Sequence, residues 1–436
     1  MTATAAGVDD YLPGHGDSAY DVRHYDLALE YTVAGNHLSA KATLTAVALE
    51  DVDRLSLDLH RLHVSKVVVD GARARYTHRA GKLVVHPKEP LARGRELTVS
   101  VTYQGNPTPV AGIDGDAGWE ELHDGVIVAA QPHGAPSWFP CNDRPSNKAS
   151  YRIEVATATA YHVAANGTLV EQRRGASRTT WVFDQPEPMA TYLATVHIGR
   201  YGSRLLATSP VPIHAVRSGR LARRADAALA RQADMMAVFT RRFGPYPFSQ
   251  YTVVVTDDEL EIPLEAQGIA TFGANYATTD WQSERLVAHE LAHQWFGNSL
   301  TVRSWRDIWL HEGFACYAEW LWSEESGGRP AAEHAELHWR RLARLSQELI
   351  LADPGPQLMF DDRVYKRGAL TLHALRLTLG EQSFFEMLHS WVADNAYGTV
   401  TTDMFLEHVQ QHAGRPLGGV LDSWLFAGAL PSLLGS

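Results

Sequence analysis

The pentapeptide HELAH at residues 289–293 constrains this chain more than any other part of its sequence. An α-helix has about 3.6 residues per turn, so in a helical segment His289 and His293 lie one turn apart on one face. Both imidazoles can then reach one metal ion, and Glu290 points into the space beside it. A carboxylate is the usual third protein ligand of such a site, and Glu312 follows 19 residues after His293. The pattern therefore predicts helices folded around a metal.

These three ligands predict zinc chemistry. Two imidazoles and a carboxylate suit Zn²⁺, although manganese or cobalt would accept the same set. Zinc then keeps one open position for water, whose pKa it lowers to about 7, and Glu290 can accept the proton as that water attacks a peptide carbonyl. The bare pattern can arise by chance in a chain with 21 histidines, but segment 305–315, WRDIWLHEGFA, supplies the third ligand in a matching context. We expect His289, His293 and Glu312 to hold one Zn²⁺, with Glu290 as the catalytic base.

The bulk composition restricts the class of protein. A chain of 436 residues with 45% hydrophobic and 20% charged content is long enough for two or three domains with full cores. No leader-like segment and no run of roughly 18 apolar residues is present, so we expect no membrane association. The presence of only two cysteines favours a cytoplasmic location, because a chain stabilised by disulfides would normally carry more. A formal net charge of −11 without Lys/Arg clusters argues against nucleic acid as a partner.

Hydrophobic periodicity divides the chain near residue 200. Between about residues 20 and 200, apolar and polar side chains alternate, as in LSLDL at 55–59 and LTVSV at 97–101, which predicts β-strands. Beyond residue 201 the spacing becomes mainly helical. We therefore expect an α+β multidomain chain, with an N-terminal all-β domain over 1–200 and a mainly α-helical catalytic domain over 201–436.

Cap and turn residues predict where the helices lie. The metal-site helix is expected over 283–296, with Ser283 as its N-cap and Gly297 at its end. Further helices are expected at about 307–326, 330–352, 364–379, 382–395 and 402–413.

Four separate blocks of sequence carry a family resemblance. They are SWFPCNDRPSNKA at 137–149 with Gln131 before it, PLEAQG at 263–268, the metal motif, and VYKRGA at 364–369. Over nearly its whole length the chain resembles the aminopeptidase N family of gluzincin zinc metallopeptidases. The resemblance implies a saddle-like all-β domain followed by a thermolysin-like catalytic domain, and one Zn²⁺. It also implies removal of single residues from peptides with a free N-terminus.

The resemblance also assigns roles to three further residues. Glu265 would bind the α-ammonium of the substrate, which would place the first peptide bond at the metal; otherwise it is a surface residue of the acidic run 257–261. Tyr365 would donate a hydrogen bond to the developing oxyanion; otherwise it is a core tyrosine. Gln131 would line the pocket for the first side chain or help to hold the amine; otherwise it is a polar loop residue.

Second-sphere partners are expected because imidazole ligands need a hydrogen bond at the nitrogen that does not bind the metal. We expect Glu319 and Asp307 in this role, each with the alternative of a surface or structural carboxylate. Glu319 follows Glu312 by seven residues, which places both on the same helix face. His311, next to Glu312, is interpreted as neighbouring structure because consecutive helical residues point about 100° apart.

The chain also departs from the family pattern. Ile262, Pro263 and Ala266 replace Gly, Ala and Asn, and His133 replaces a Glu, which removes one carboxylate from the amine pocket. Because segment 424–431 resembles the end of the family's catalytic domain, we expect a short form that lacks the C-terminal helical domain.

Two other functions remain open from the sequence. An endopeptidase of the same metal class would use the same metal ligands, but Glu265 would not close the end of its substrate-binding site. A non-catalytic scaffold would keep the fold without the chemistry. The sequence assigns no oligomeric state.

Overall fold

The computed structural model describes residues 9–113, 115–414 and 417–433, and the chain divides into two compact units. The first, here called the β unit, runs to Arg204 and includes His214–Ala222 and Ser249–Ala274. The second, here called the helical unit, contains Leu205–Ile213, Arg223–Phe248 and the chain from Asn275 onward. A many-stranded N-terminal half and a helical remainder confirm the expected α+β fold class.

The strands are listed in chain order. They are β1 (Tyr20–Thr32), β2 (His37–Ala48), β3 (Leu55–Asp58), β4 (His63–Val69), β5 (Ala72–Arg73), β6 (Arg75–Arg79), β7 (Lys82–His86), β8 (Glu96–Gly105), β9 (Val110–Gly112), β10 (Gly115–Leu122), β11 (Gly125–Ala129), β12 (Lys148–Ala158), β13 (His162–Ala165), β14 (Thr168–Arg174), β15 (Arg178–Ala190), β16 (Val196–Gly199), β17 (Tyr201–Ala207), β18 (Ile213–Ser218), β19 (Tyr251–Val255), β20 (Leu264–Ala266), β21 (Ile269–Phe272), β22 (Thr301–Val302) and β23 (Thr399–Val400).

These strands form open sheets. The largest has the order β14-β15-β12-β1-β2-β8-β4-β5, and β3-β7-β6 and β13-β16-β11-β10-β9 form smaller sheets. A further sheet has the order β17-β18-β19-β21-β20, and β22 pairs with β23. Within the largest sheet, β1 pairs antiparallel with β2 and parallel with β12.

Strand β1 shows why the alternating pattern folds as sheet. Its Tyr25, Leu27 and Leu29 are buried, whereas Asp26 and Ala28 between them reach solvent. Successive side chains of a strand point to opposite faces, so period-two patterning buries one face. The β prediction for the first half is confirmed.

The helices are α1 (Ala222–Ala228), α2 (Gln232–Phe243), α3 (Trp281–Ala292), α4 (Trp309–Glu325), α5 (Ala331–Leu342), α6 (Asp362–Leu379), α7 (Glu381–Asp394), α8 (Thr402–Ala413) and α9 (Gly418–Leu425). The predicted bounds of α4, α6, α7 and α8 hold to within two residues. Within the described ranges, no helix combines the length and the apolar character needed to cross a bilayer.

The predicted N-cap and the predicted C-terminal end of the metal-site helix are wrong. Helix α3 begins at Trp281, and its N-cap is Asp280, whose side chain accepts a 3.1 Å hydrogen bond from the Ser283 amide. Ser283 does not cap the helix, because its hydroxyl lies 2.7 Å from the Thr278 hydroxyl. Asp and Ser are comparable N-cap residues, so composition alone could not choose between them. The helix ends at Ala292, not at 296.

Helix α5 is shorter than predicted. It ends at Leu342 instead of 352, because the Gln347 side chain donates hydrogen bonds to the carbonyls of Leu342 (2.9 Å) and Leu345 (2.8 Å). The Leu342 carbonyl also accepts a 3.0 Å hydrogen bond from the Leu345 amide, three residues on, so the helix closes with a tighter 3₁₀-type turn.

Helices α4 and α6 cross at a pair of glycines. A Cβ on Gly368 would lie 2.6 Å from the Gly313 Cα, and a Cβ on Gly313 would lie 2.8 Å from the Gly368 Cα. Both separations are shorter than a carbon–carbon contact of about 3.5 Å allows. The crossing therefore requires glycine at both positions.

Candidate active site

The three expected metal ligands lie together in the helical unit. His289 is in the last turn of α3, His293 follows that helix, and Glu312 is in the first turn of α4. Glu312 Oε2 is 3.4 Å from the Nε2 atom of each histidine. The exposed fractions of His289, His293 and Glu312 are 6%, 1% and 2%. Two helices thus present three donor atoms, all within 4.8 Å of one another, to one buried point.

The spacing of these atoms fits a tetrahedral zinc ion. Zinc–nitrogen and zinc–oxygen bonds of about 2.0–2.1 Å at the tetrahedral angle place neighbouring ligand atoms about 3.4 Å apart. The observed 3.4 Å separations match that value. A direct charge-assisted hydrogen bond would instead bring the two atoms to about 2.7–2.9 Å. The donor set and its spacing therefore fit zinc.

A buried carboxylate fixes the orientation of His289. Glu319 Oε1 lies 2.8 Å from His289 Nδ1, and because a carboxylate only accepts, Nδ1 carries the proton and Nε2 faces Glu312. Glu319 Oε2 pairs with Arg285 over 3.1 Å. The expected contact of Glu319 with a metal ligand is present.

The charges around His289 favour an electron-rich imidazole. Burial lowers the pKa of His289, but the neighbouring carboxylates of Glu312 and Glu319 outweigh burial and raise the pKa to about 9. Burial raises the pKa of Glu319, but Lys366 and His289 lower it to about 2. Burial likewise raises the pKa of Glu312, yet the two histidines bring it well below its usual range. Both carboxylates stay ionised at neutral pH, and His289 is a strong base toward a proton or a metal.

The second expected partner is wrong. His293 Nδ1 hydrogen-bonds the Phe296 carbonyl over 3.0 Å. Asp307 instead accepts hydrogen bonds from the Thr402 amide (3.0 Å) and hydroxyl (2.7 Å), so it holds the start of α8. A backbone carbonyl orients an imidazole as well as a carboxylate does. Sequence could not reveal this, since every residue has a carbonyl.

His311 is part of the framework around the site. Its Nε2 accepts a 2.8 Å hydrogen bond from the Val302 amide, and the residue is fully buried. An imidazole nitrogen that accepts from the backbone cannot also bind a metal.

The expected base and oxyanion donor come from two helices of the same unit. Glu290 follows His289 in α3 and is 3% exposed. Tyr365 lies in the first turn of α6, and its half-buried ring is roughly parallel to that of His289, with centroids 6.1 Å apart. The start of α6 is fixed by Asp361, which accepts a 2.9 Å bond from the Arg363 amide. Both groups therefore flank a metal ligand.

The two expected substrate-binding residues lie in the β unit. Glu265 is half-buried at the centre of β20, which pairs antiparallel with β21, and Gly268 turns the chain between them with φ +74°. Gln131 is also half-buried, and its Nε2 is buried with no hydrogen-bond partner in the described part of the chain. A buried donor without a partner is costly unless a ligand satisfies it.

His133, which replaces the family's Glu, is buried in the β unit. It is 4% exposed, and its Nε2 lies 3.0 Å from the Val110 carbonyl. Gly112 makes room for the ring, because a Cβ there would lie 2.1 Å from His133 Cε1. The imidazole is thus held by the backbone around it.

Sequence reasoning missed two cations near the metal ligands. Arg285 lies four residues before His289, one helical turn away on the same face, and that spacing was a usable signal. Lys366 follows Tyr365, and its Nζ lies 3.3 Å from the buried Cys316 thiol. No pattern in the sequence connects Lys366 with Cys316, because only the crossing of α4 and α6 brings them together.

Two family models match the chain. The peptidase M1 N-terminal domain matches residues 22–193, and the peptidase family M1 domain matches residues 227–424.

Curated proteins with similar sequences are aminopeptidases. Mouse "Aminopeptidase N" is 26% identical over 92% of this chain and 44% of its own length. "Probable aminopeptidase 1" of Sulfurisphaera tokodaii is 22% identical over 93% of this chain and 53% of its own. The chain spans about half the length of these relatives.

Two solved structures match over nearly their full length. The M1 zinc metallopeptidase from Deinococcus radiodurans is 33% identical, with a TM-score of 0.89, over 98% of this chain and 99% of that one. A mutant of the Deinococcus enzyme bound to a Tyr-Ser-Ala substrate is 32% identical, with a TM-score of 0.90 and 98% coverage of both chains.

Replacing Glu319 should weaken metal binding without unfolding the protein. Glu319→Gln keeps an acceptor for His289 but removes the negative charge that raises the basicity of the ligand. Loss of such a partner typically costs 10- to 100-fold in metal affinity, and competition with a chromophoric chelator would measure the change. Glu325→Gln is the matched control, because Glu325 ends the same helix and pairs with Arg241 and Arg242 instead. Equal zinc affinity in both variants would refute the role of Glu319.

Proposed function

The chain belongs to peptidase family M1, and from that premise we propose that it is a zinc aminopeptidase acting on peptides with a free N-terminus. The observation that carries the proposal is the set of three buried ligand atoms at the 3.4 Å spacing of a zinc site. Similar curated proteins named as aminopeptidases, and a similar zinc metallopeptidase structure, support the activity and the metal.

Glu290 is proposed as the general base. His289, His293 and Glu312 would hold the zinc ion, which would act as a Lewis acid and make a bound water more acidic. Glu290 then accepts a proton from the attacking water and can pass it to the leaving amine. Its position next to the ligand His289 in α3 supports this role, because a general base must lie within hydrogen-bond reach of the proton that it takes.

Tyr365 is proposed to stabilise the oxyanion. Its hydroxyl would donate a hydrogen bond to the carbonyl oxygen as negative charge develops there. A donor that is already oriented needs little reorganisation during the reaction, which is why such groups contribute strongly. The ring's parallel placement against His289 supports a fixed orientation.

Glu265 and Gln131 are proposed to recognise the substrate's amino-terminal residue. Glu265 would bind the α-ammonium, and a charged pair of this kind is stronger than a neutral hydrogen bond. Gln131 would add its buried Nε2 as a donor to the same residue of the substrate. Both assignments rest on the family resemblance.

We further propose that the substrates are peptides of the cytoplasm and that the protein acts in peptide catabolism. Both cysteines, Cys141 and Cys316, are buried and not disulfide-bonded, as expected in a reducing compartment. Finding the protein only outside the cytoplasm in cell fractions would contradict the location.

Release of leucine from leucine p-nitroanilide tests the proposed activity, and Glu290→Gln tests its mechanism. Glutamine cannot take the proton, so turnover should fall on the order of 100-fold or more, while the three ligands retain zinc. Glu284→Gln is the control, because Glu284 lies on the same helix and pairs with Arg231. Activity and zinc content should be measured on the same samples. An active Glu290→Gln enzyme would exclude Glu290 as the base.

Tyr365→Phe should lower kcat by roughly 100- to 1000-fold and change KM little, because the hydrogen bond strengthens only in the transition state. Tyr397→Phe is the control, since its hydroxyl bonds the Pro247 carbonyl over 2.6 Å. A change confined to KM would contradict the oxyanion role.

Glu265→Gln should raise KM for free-amine peptides by roughly 10- to 100-fold, because one charged partner of the ammonium is lost. Glu259→Gln, in the neighbouring acidic run, should leave KM unchanged. Peptides with an acetylated N-terminus should be poor substrates of the wild type. Equal hydrolysis of acetylated and free peptides would favour an endopeptidase.

A further inference from the structure

A cavity of about 720 Å³ lies in the helical unit beside the metal ligands. Four helices line it, with Arg285 from α3, Glu319 from α4, His338 and Arg341 from α5, and Lys366 from α6. Its volume is in the range of sites that bind small organic molecules. None of the roles proposed above uses it.

The cavity is continuous with the surroundings of His289. Glu319, which accepts the hydrogen bond from His289 Nδ1, is also a wall of the cavity. On α3 its lining runs from Trp281 to Arg285, which is about 6 Å along the helix axis, and it stops one turn before His289. An extended peptide rises about 3.3 Å per residue, so about two residues would span this length.

The charge of the lining selects the kind of ligand. Four cationic side chains face two carboxylates, Glu319 and Asp362. Arg285 pairs with Glu319 over 3.1 Å, and Lys366 approaches Asp362 at 3.7 Å. A surplus of positive charge repels an ammonium and attracts a carboxylate.

Arg341 provides the uncommitted charge. Its guanidinium makes no ion pair or hydrogen bond with any residue that the structure describes. Arg329, the fourth cation, lies 3.6 Å from Glu333. A guanidinium is suited to binding a carboxylate through two parallel hydrogen bonds.

Aromatic rings form the apolar part of the wall. Trp320 is parallel to the His338 ring, with centroids 5.3 Å apart, and to the His334 ring at 6.2 Å. Burial, with Lys366 and Arg341 nearby, lowers the pKa of His338 to about 3, so its ring is neutral. The half-buried His338 ring, backed by Trp320, offers a flat surface for an apolar side chain.

We propose that this cavity binds the carboxylate of the leaving-group part of a short peptide, with Arg341 as its partner. The inference rests on the proposed aminopeptidase function. The ammonium end would be repelled from this cavity. The C-terminus is the one anion that every unmodified peptide carries, and an acidic side chain presents the same group.

Four leucyl substrates separate the possible sources of the carboxylate. They are Leu-Ala-Ala as the free acid, the same peptide as its C-terminal amide, Leu-Ala-Asp as its C-terminal amide, and leucine p-nitroanilide. For the wild type, kcat/KM should be on the order of tenfold higher for the free acid than for its amide. A higher kcat/KM for the Leu-Ala-Asp amide than for the Leu-Ala-Ala amide would show that a side-chain carboxylate can also bind in the cavity.

Arg341→Gln should remove the preference for the free acid through KM, and Arg340→Gln is the matched control. Arg340 is the preceding residue of α5, does not line the cavity, and pairs with Glu336. Equal use of free acid and amide by the wild type would overturn the proposal, as would loss of the preference in Arg340→Gln.

Two readouts separate this inference from the proposed activity. Failure to hydrolyse the anilide would refute the aminopeptidase function. Calorimetric binding of the free-acid and amide peptides to Glu290→Gln, with and without Arg341→Gln, does not depend on turnover. Tighter binding of the free acid, lost with Arg341→Gln, would support the carboxylate site, and equal binding would exclude it.

Discussion

The close crossing of α4 and α6 at Gly313 and Gly368 is the contact on which the site depends. Packed helices usually lie about 8–10 Å apart, and glycines permit a nearer approach. Glu312 directly precedes the first glycine, and Tyr365 lies three residues before the second. The backbone contact therefore fixes a metal ligand and the proposed oxyanion donor relative to each other. Because a misplacement of about 1 Å can cost 100-fold in rate, this packing is part of the active site.

The network around the crossing shows how ionised groups are kept buried. Glu312, His289, Glu319 and Arg285 follow one another with alternating sign, and each carboxylate touches a cation or an imidazole. Burying a charge without a partner costs several kcal/mol or more. Removing any member of the network would therefore leave its neighbour as an unpaired buried charge. Replacing a buried ion pair with apolar side chains of similar volume is often neutral or stabilising. The network is therefore explained by what it does to His289, which it orients and makes more basic, and not by stability.

Features encoded within one or two helical turns could be predicted from the sequence, and those made by distant segments could not. The β alternation and the bounds of α4, α6, α7 and α8 came from local periodicity, and the position of Glu319 came from its spacing after Glu312. The error at Asp307 arose because its partner, Thr402, is 95 residues away. The shorter α5 depends on one side chain, Gln347, that turns back onto carbonyls. Residues from four helices line the cavity, so no single segment of the sequence predicts it.

If Arg341 receives the carboxylate of the leaving group, the cavity discriminates between the two ends of a short peptide by the sign of their charge. An ammonium group in the cavity would meet a surplus of positive charge, so that contact would be repulsive. The neutral ring of His338 matters here, since it adds surface for a side chain without adding a cation that would bind anions indiscriminately. This discrimination weakens as the peptide lengthens, because the carboxylate then lies beyond the roughly 6 Å that the cavity spans along α3. Preference for a free C-terminus should therefore be a property of short substrates only.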